Sequence, residues 1–192
     1  MIAFFFSAMS PYSWLAAERI GTLIPQAEWK PVFGGRVLEA HGRASWGLGE
    51  HRATGMADCE ARARSYGLGQ MRWPGAWPSN GALVARALIY AERQRQLERF
   101  ALTAMRMQFL EGLDLGELET LRAVASRVGF SPRDTAAAVD DPEVDAAMRA
   151  ASDEAIARGV FGIPTALVGD TLFWGDDRLD EAAALAASAP QP

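Results

Sequence analysis

Ile2-Ala3-Phe4-Phe5-Phe6 runs apolar without a break, crosses Ser7-Ala8-Met9, and meets Ser10-Pro11-Tyr12-Ser13-Trp14-Leu15. The first five residues read as a buried strand. Ser10 then caps a helix whose first position is Pro11, where a missing N–H costs nothing because that donor has no partner within the helix anyway. The helix is expected to run to about Ile24 and to stop before Pro25. Glu28-Trp29-Lys30-Pro31-Val32-Phe33 reads as a second short strand, and Pro31 assigns it to an edge because proline gives a sheet no donor. Strand, helix and strand within so short a stretch make a βαβ beginning.

Moving outward, periodicity fades between Gly34 and Gly55, a glycine-rich stretch expected to be a long loop or a weakly ordered segment of the kind that often covers a site. Helical spacing follows. Val84, Ala87, Leu88 and Ala91 share one face; Leu118, Leu121, Ala125 and Val128 share another before Gly129; Asp141 and Pro142 start a helix with Val144, Ala147, Met148 and Ala151 inward, ending at Gly159. Strand character returns in Thr165-Ala166-Leu167-Val168, turns at Gly169-Asp170, and resumes in Thr171-Leu172-Phe173-Trp174, a hairpin. A last helix should begin near Asp177 and run through the alanines Ala182 to Ala189. With no internal repeat, the simplest architecture is α/β: residues 1–34 and 159–192 form one domain, and residues 35–158 are a loop followed by an inserted, all-α helical domain.

Composition bounds the chemistry. A chain of 192 residues that is 49% hydrophobic buries a full core unaided. Cys59 is the lone cysteine, so no intramolecular disulfide forms. A net charge of -5 argues against nucleic acid as partner, since that affinity rests on a basic surface. The N-terminus lacks a basic leader and is too short an apolar run to span a membrane, which fits a cytoplasmic protein. His41 and His51 have no carboxylate or cysteine at ligand spacing, so no metal is expected. Asp58, Glu60, Arg62 and Arg64 read as ion pairs on an exposed helix face. Trp73, Trp77, Met105 and Met107 read as core or pocket wall. No phosphate-cradling glycine loop or dinucleotide fingerprint is present.

Three segments together resemble a known family: Ser10-Pro11-Tyr12-Ser13-Trp14-Leu15, Gly159-Val160-Phe161-Gly162-Ile163-Pro164-Thr165 and Phe173-Trp174-Gly175-Asp176-Asp177-Arg178-Leu179, with weaker likeness at Trp77-Pro78-Ser79-Asn80. In order and separation they look like the 2-hydroxychromene-2-carboxylate isomerases, which group with kappa-class glutathione transferases and DsbA-like proteins in the thioredoxin superfamily. Ser10 and Ser13 take the spacing of a thioredoxin-type Cys-x-x-Cys motif, and serine at both ends removes disulfide chemistry. The resemblance implies a thioredoxin-like domain with a large helical insertion, glutathione as cofactor, a small-molecule substrate and a homodimer. It also implies a cis Ile163-Pro164 bond facing Ser10. Ile163 would pair its backbone with the cysteinyl part of glutathione, Trp174, Gly175, Asp176 and Asp177 would hold the γ-glutamyl end, and Asn80 would touch the substrate; read locally, Asn80 is equally a helix cap, and the Trp174–Asp177 turn a plain N-cap followed by solvated acids.

The implied activity is a glutathione-dependent isomerisation of an aromatic or cyclic keto acid, with Ser10 stabilising the thiolate. Two alternatives stay open: a kappa-like glutathione transferase, distinguished by a product that gains the mass of glutathione, and a thioredoxin-fold binding protein without catalysis. Ser10 itself admits a plain reading as an N-cap worth ~1 kcal/mol. Its functional reading has the right magnitude. Lowering a thiol from pKa ~8.5 by about two units takes ~2.7 kcal/mol. A helix terminus supplies up to ~2 kcal/mol and a hydrogen bond to a charged group ~1.5–3 kcal/mol. Three departures from the family stand out: Ser7 where an aspartate is common, Asp176 where serine, glutamine or asparagine is usual, and Arg36 but no lysine after the second strand. Asp176 bears on both ends of the γ-glutamyl group, since a second carboxylate there attracts its ammonium and repels its carboxylate.

Overall fold

A computed structural model of the protein describes residues 1–188. Its elements in order are β1 (Ile2–Phe6), α1 (Pro11–Leu23), β2 (Glu28–Pro31), α2 (Gly34–Ala40), a 3₁₀ turn (Trp46–Leu48), α3 (Arg52–Ser65), α4 (Gly81–Arg93), α5 (Leu97–Phe109), α6 (Leu118–Val128), α7 (Pro132–Val139), α8 (Pro142–Ala157), β3 (Thr165–Val168), β4 (Thr171–Trp174), a second 3₁₀ turn (Asp176–Arg178) and α9 (Leu179–Ser188). Ala189, which the alanine pattern includes in the last helix, lies outside the described residues.

The strands form one 4-stranded sheet in the order β2-β1-β3-β4. β1 runs parallel to β2 and antiparallel to β3, with Phe4 opposite Trp29 on one side and Ala166 on the other. Pro31 does sit on an edge strand. Alternation along β1 divides the core: Phe4 and Phe6 stack at 5.4 Å and meet the edge of Trp29 at 5.1 and 5.2 Å on the face covered by α1 and α9. Ala3 and Phe5 point the other way, into a cluster with Leu167, Val37 of α2 and Ala155 of α8. Each buried phenylalanine contributes about 1.5–3 kcal/mol. Thus α8, the last helix of the segment inserted by sequence, closes the second face of the sheet.

The stretch after β2 departs from the expected loop. Gly34–Ala40 is helical in spite of two opening glycines, because tertiary contacts outweigh propensity. Val37 is buried, Arg36 makes paired hydrogen bonds of 2.6 and 2.9 Å to Asp153 on α8, and the Phe33 N–H donates to Ser152 Oγ at 3.0 Å. Gly35 packs so closely on the Phe33 ring that a Cβ there would lie 2.8 Å from it. Trp46–Leu48 then turns as a 3₁₀ segment capped by Ser45. Caps elsewhere agree with the local sequence: Ser10, Ser131 and Asp141 each accept a first-turn N–H, and each is followed by proline.

Candidate functional site

Four backbone and side-chain hydrogen bonds fix the loop between β1 and α1. Ser10 N–H donates to Ser7 C=O at 3.0 Å and Ser7 N–H to Ser13 Oγ at 3.3 Å. Trp77 Nε1 donates to Met9 C=O at 2.9 Å, and Gln108 Nε2 to Ala8 C=O at 3.1 Å. Ser13 is therefore a buried structural hydroxyl. Ser10 accepts the Ser13 N–H at 3.2 Å, as an N-cap should, and its own hydroxyl proton has no acceptor among the described residues. Capping uses an acceptor lone pair and leaves the donor. Of the other first-turn donors, Pro11 has none, Trp14 N–H bonds to Ser10 C=O at 3.1 Å, and Tyr12 N–H has no partner among the described residues. The entrance of α1 thus offers one hydroxyl and one amide to an anion.

The second segment meets it across a cavity. The Ile163–Pro164 bond is cis, and so is Trp77–Pro78, which the sequence did not announce. Thr165 Oγ1 donates to Gly162 C=O at 2.7 Å, and Gly175 N–H to Pro164 C=O at 2.9 Å. Neither the N–H nor the C=O of Ile163 has a partner among the described residues. Ser10, Asn80, Ile163, Pro164, Trp174, Gly175, Asp176 and Asp177 all line one cavity of about 920 Å³, so the structure brings together the site residues that the resemblance implies. Asn80 stands at the N-cap position of α4 but makes no capping bond, and its side chain is exposed.

The two aspartates diverge. Asp176 is 1% exposed, and its carboxylate takes Arg62 Nη1 at 3.1 Å and Tyr66 OH at 3.0 Å. Burial pushes its pKa up, against the opposing pull of Arg62 and Tyr66 and with a further push from Asp177. Asp177 is exposed, at 3.5 Å from Arg62. Gly175, at φ 114°, leaves the room for this turn: a side chain there would collide with the Asp177 carboxylate. The N–H groups of Asp176 and Asp177 have no partners among the described residues.

Here one expectation is corrected. Asp58 and Arg62 do not form a mere surface pair, because α3 packs across the cavity wall. Tyr12 OH donates to Asp58 at 2.9 Å, Arg62 Nε donates to the same carboxylate at 2.8 Å, and the Arg62 guanidinium lies 5.5 Å over the Tyr12 ring. Asp58, Arg62 and Tyr66 form a stripe at helical spacing, a signal the sequence does carry. Burial and the neighbouring Cys59 and Asp58 push the Tyr12 phenol far up, so it stays protonated. Burial likewise pushes the Cys59 thiol up to about 12. Fully buried and protonated, that sulfur offers no nucleophile.

Trp46, Trp77 and Arg43 also line the cavity and were not singled out as one wall. Trp46 packs at 5.0 Å from Trp77 and 6.0 Å from Tyr12, and Trp73 lies 4.8 Å from Trp77. Met105 and Met107 lie in the core. His41 and His51 are both exposed, and the described residues hold no cluster of metal-ligating side chains. No helix among them is long and apolar enough to cross a membrane.

Comparison with known proteins shows the family of the chain. The model of the DSBA-like thioredoxin domain matches residues 1–186. The 2-hydroxychromene-2-carboxylate isomerase of Sphingobium xenophagum is 32% identical over 194 residues, 93% of this chain and 94% of that protein. Among solved structures, a 2-hydroxychromene-2-carboxylate isomerase superposes with a TM-score of 0.82 at 22% identity, over 95% of this chain and 92% of the other. DsbM, a cytosolic disulfide reductase from Pseudomonas aeruginosa solved with GSH, gives a TM-score of 0.67 at 15% identity over 97% and 95%.

Proposed function

We propose, because the chain belongs to the 2-hydroxychromene-2-carboxylate isomerase family of DSBA-like thioredoxin domains, that it isomerises an aromatic or cyclic keto acid of that type with glutathione as cofactor. The carrying observation is the meeting of Ser10, its hydroxyl proton uncommitted, with the unpartnered Ile163 backbone at one cavity. The residues fit the tripeptide. The cavity, about 920 Å³, lies within the roughly 300–1,000 Å³ of small-molecule sites and has room for a second ligand beside the first.

Glutathione supplies, when bound, a thiol that can ionise to a nucleophile returned unchanged at the end of turnover. The chain's own part is binding, orientation and charge. Ser10 Oγ donates a hydrogen bond to an anion at the α1 entrance, and the Tyr12 N–H and the helix dipole add to it. Ile163 pairs its N–H and C=O with a peptide laid along the cis-proline turn. Asp177 meets an ammonium, and the amides of Asp176 and Asp177 meet a carboxylate. Asn80 and the walls of Trp46 and Trp77 receive the second ligand. Tyr12 is bound to Asp58 and Cys59 is a buried thiol, so neither competes with Ser10 for this role. The family resemblance also suggests a homodimer, which sedimentation equilibrium would test, and a cytoplasmic location, which cell fractionation would test.

The test is a pH titration of bound glutathione followed by thiolate ultraviolet absorbance, in wild type and Ser10→Ala. Loss of a hydrogen bond to a charged group, ~1.5–3 kcal/mol, should raise the bound thiol's pKa by about one to two units. Equal pKa values would remove Ser10 from the mechanism. Mass spectrometry of 2-hydroxychromene-2-carboxylate turned over by wild type decides the reaction: unchanged mass means isomerisation, and added glutathione means transfer.

A further inference from the structure

Two arginines line the cavity, and they are in opposite states. Arg62 is bound to Asp58 at 2.8 Å and Asp176 at 3.1 Å, with Asp177 at 3.5 Å. Arg43 has no carboxylate within ion-pair distance among the described residues. Its guanidinium donates to the Phe161 C=O and lies 5.3 Å over the Trp174 ring and 5.9 Å over the Phe161 ring. A guanidinium carries five N–H donors, so one carbonyl and two ring faces hold it in place without neutralising it.

The surroundings preserve that state. Gly162 lies against the group so closely that a Cβ there would be 3.0 Å from Arg43 Nη2 and 2.8 Å from Trp174 Cε2, so the bare α-carbon makes the slot in which the cation sits. In a chain of net charge -5, other arginines find acids readily: Arg36 meets Asp153, Arg106 meets Glu18 and Arg127 meets Glu111. Arg36, the cation nearest after β2, is turned to α8 and does not line the cavity. Arg43 is therefore the cavity's uncommitted positive charge, and Trp46 and Trp77 supply aromatic wall in the same space.

We propose that Arg43 is the receptor for a free carboxylate in this cavity, either that of the keto-acid substrate or the glycyl carboxylate of glutathione. The inference deepens the function proposed above and rests on it for the identity of the two ligands. Arg is suited to the task because its planar fork meets both oxygens of a carboxylate at once.

Calorimetric titration of wild type, Arg43→Gln and Arg43→Lys tests it with two ligand pairs: cinnamate against cinnamamide, and glutathione against its glycinamide, in which the C-terminal carboxylate is a neutral amide. Loss of a charge-assisted pair predicts about a 10-fold or larger fall in affinity for at least one carboxylate ligand in Arg43→Gln, with partial recovery in Arg43→Lys. A loss for cinnamate alone, cinnamamide being unaffected, assigns the substrate's carboxylate. A loss for glutathione with none for its glycinamide assigns the glycyl carboxylate. Equal affinities in wild type and Arg43→Gln, or a wild type that takes up neither carboxylate, overturn the proposal. A wild type that binds cinnamate through Arg43 but no glutathione defeats the proposed cofactor and leaves Arg43 standing.

Discussion

Two helix entrances face the same cavity, and they have been furnished in opposite ways. At α1 the entrance carries no charge: Pro11 has no N–H, Ser10 caps with a lone pair, and one hydroxyl and one amide are left for a guest. At the 3₁₀ turn leading to α9 the chain supplies its own anions, Asp176 and Asp177, and then pairs the buried one with the Arg62 guanidinium and a hydrogen bond from Tyr66. A helix start attracts negative charge in both places. The first leaves that capacity to a ligand, and the second has already filled part of it. The open entrance therefore suits a thiolate. The filled one, with Asp177 turned outward, suits the zwitterionic end of a peptide.

Emptying the filled entrance should have the largest effect. Asp176→Ala leaves Arg62 and Tyr66 facing a buried gap. Removing one partner of a fully buried pair costs 3–5 kcal/mol; Arg62 is 29% exposed and keeps Asp58, so about 2–3 kcal/mol is expected from urea unfolding. A loss under about 0.5 kcal/mol would mean that the Asp58 pair alone positions α3. The comparison would then reduce to α1 by itself.

Asp176→Asn sharpens the same point through pH. Burial raises the Asp176 carboxyl in the native state above its unfolded value, despite Arg62 and Tyr66. The native state then holds that proton more tightly than the unfolded chain. Wild-type stability from this group is fully present below the ordinary carboxyl pKa of about 4 and falls as pH rises through the raised native value. Asparagine has no such proton, so the variant's deficit against wild type should shrink as pH rises across that window. Asp153 and Glu111, lowered first by their bonds to Arg36 and Arg127, act with the opposite sign but equally in both proteins, so they cancel in the difference. A deficit that grows with pH would show that pairing outweighs burial.

Much of this arrangement was legible from local sequence, and what was not has a common cause. β1, α1 and the β3–β4 hairpin follow from period, capping residues and the Gly169 turn, all settled within a few residues of chain. Ser10, Pro164 and the Trp174–Asp177 turn were reachable because short motifs carry them. The Asp58-Arg62-Tyr66 stripe shows in the helical spacing, but its role does not, because what makes Arg62 structural is Asp176, 114 residues further on, and Tyr66 reaches the same carboxylate across 110. Arg43 reads as one more solvated arginine until Phe161, 118 residues away, is folded against it. α2 was hidden in another way: Gly34 and Gly35 oppose a helix locally, and the contacts of Val37 and Arg36 with the sheet and α8 overrule them.

The smallest effect belongs to the outward carboxylate. Asp177 is 57% exposed and 3.5 Å from an arginine that Asp58 and Asp176 already hold, so water screens what it does. Asp177→Asn should leave stability within about 0.5 kcal/mol of wild type. For a ligand the same residue is the accessible half of the turn. If it meets the γ-glutamyl ammonium, its loss should weaken glutathione by a few fold, under about 1 kcal/mol. Affinity for the analogue lacking that amino group should be unchanged between the two proteins. An equal drop for both ligands would instead mean that Asp177 acts by shaping the Gly175 turn. The filled entrance would then bind through its amides alone, without the side-chain donor that Ser10 adds at the open one.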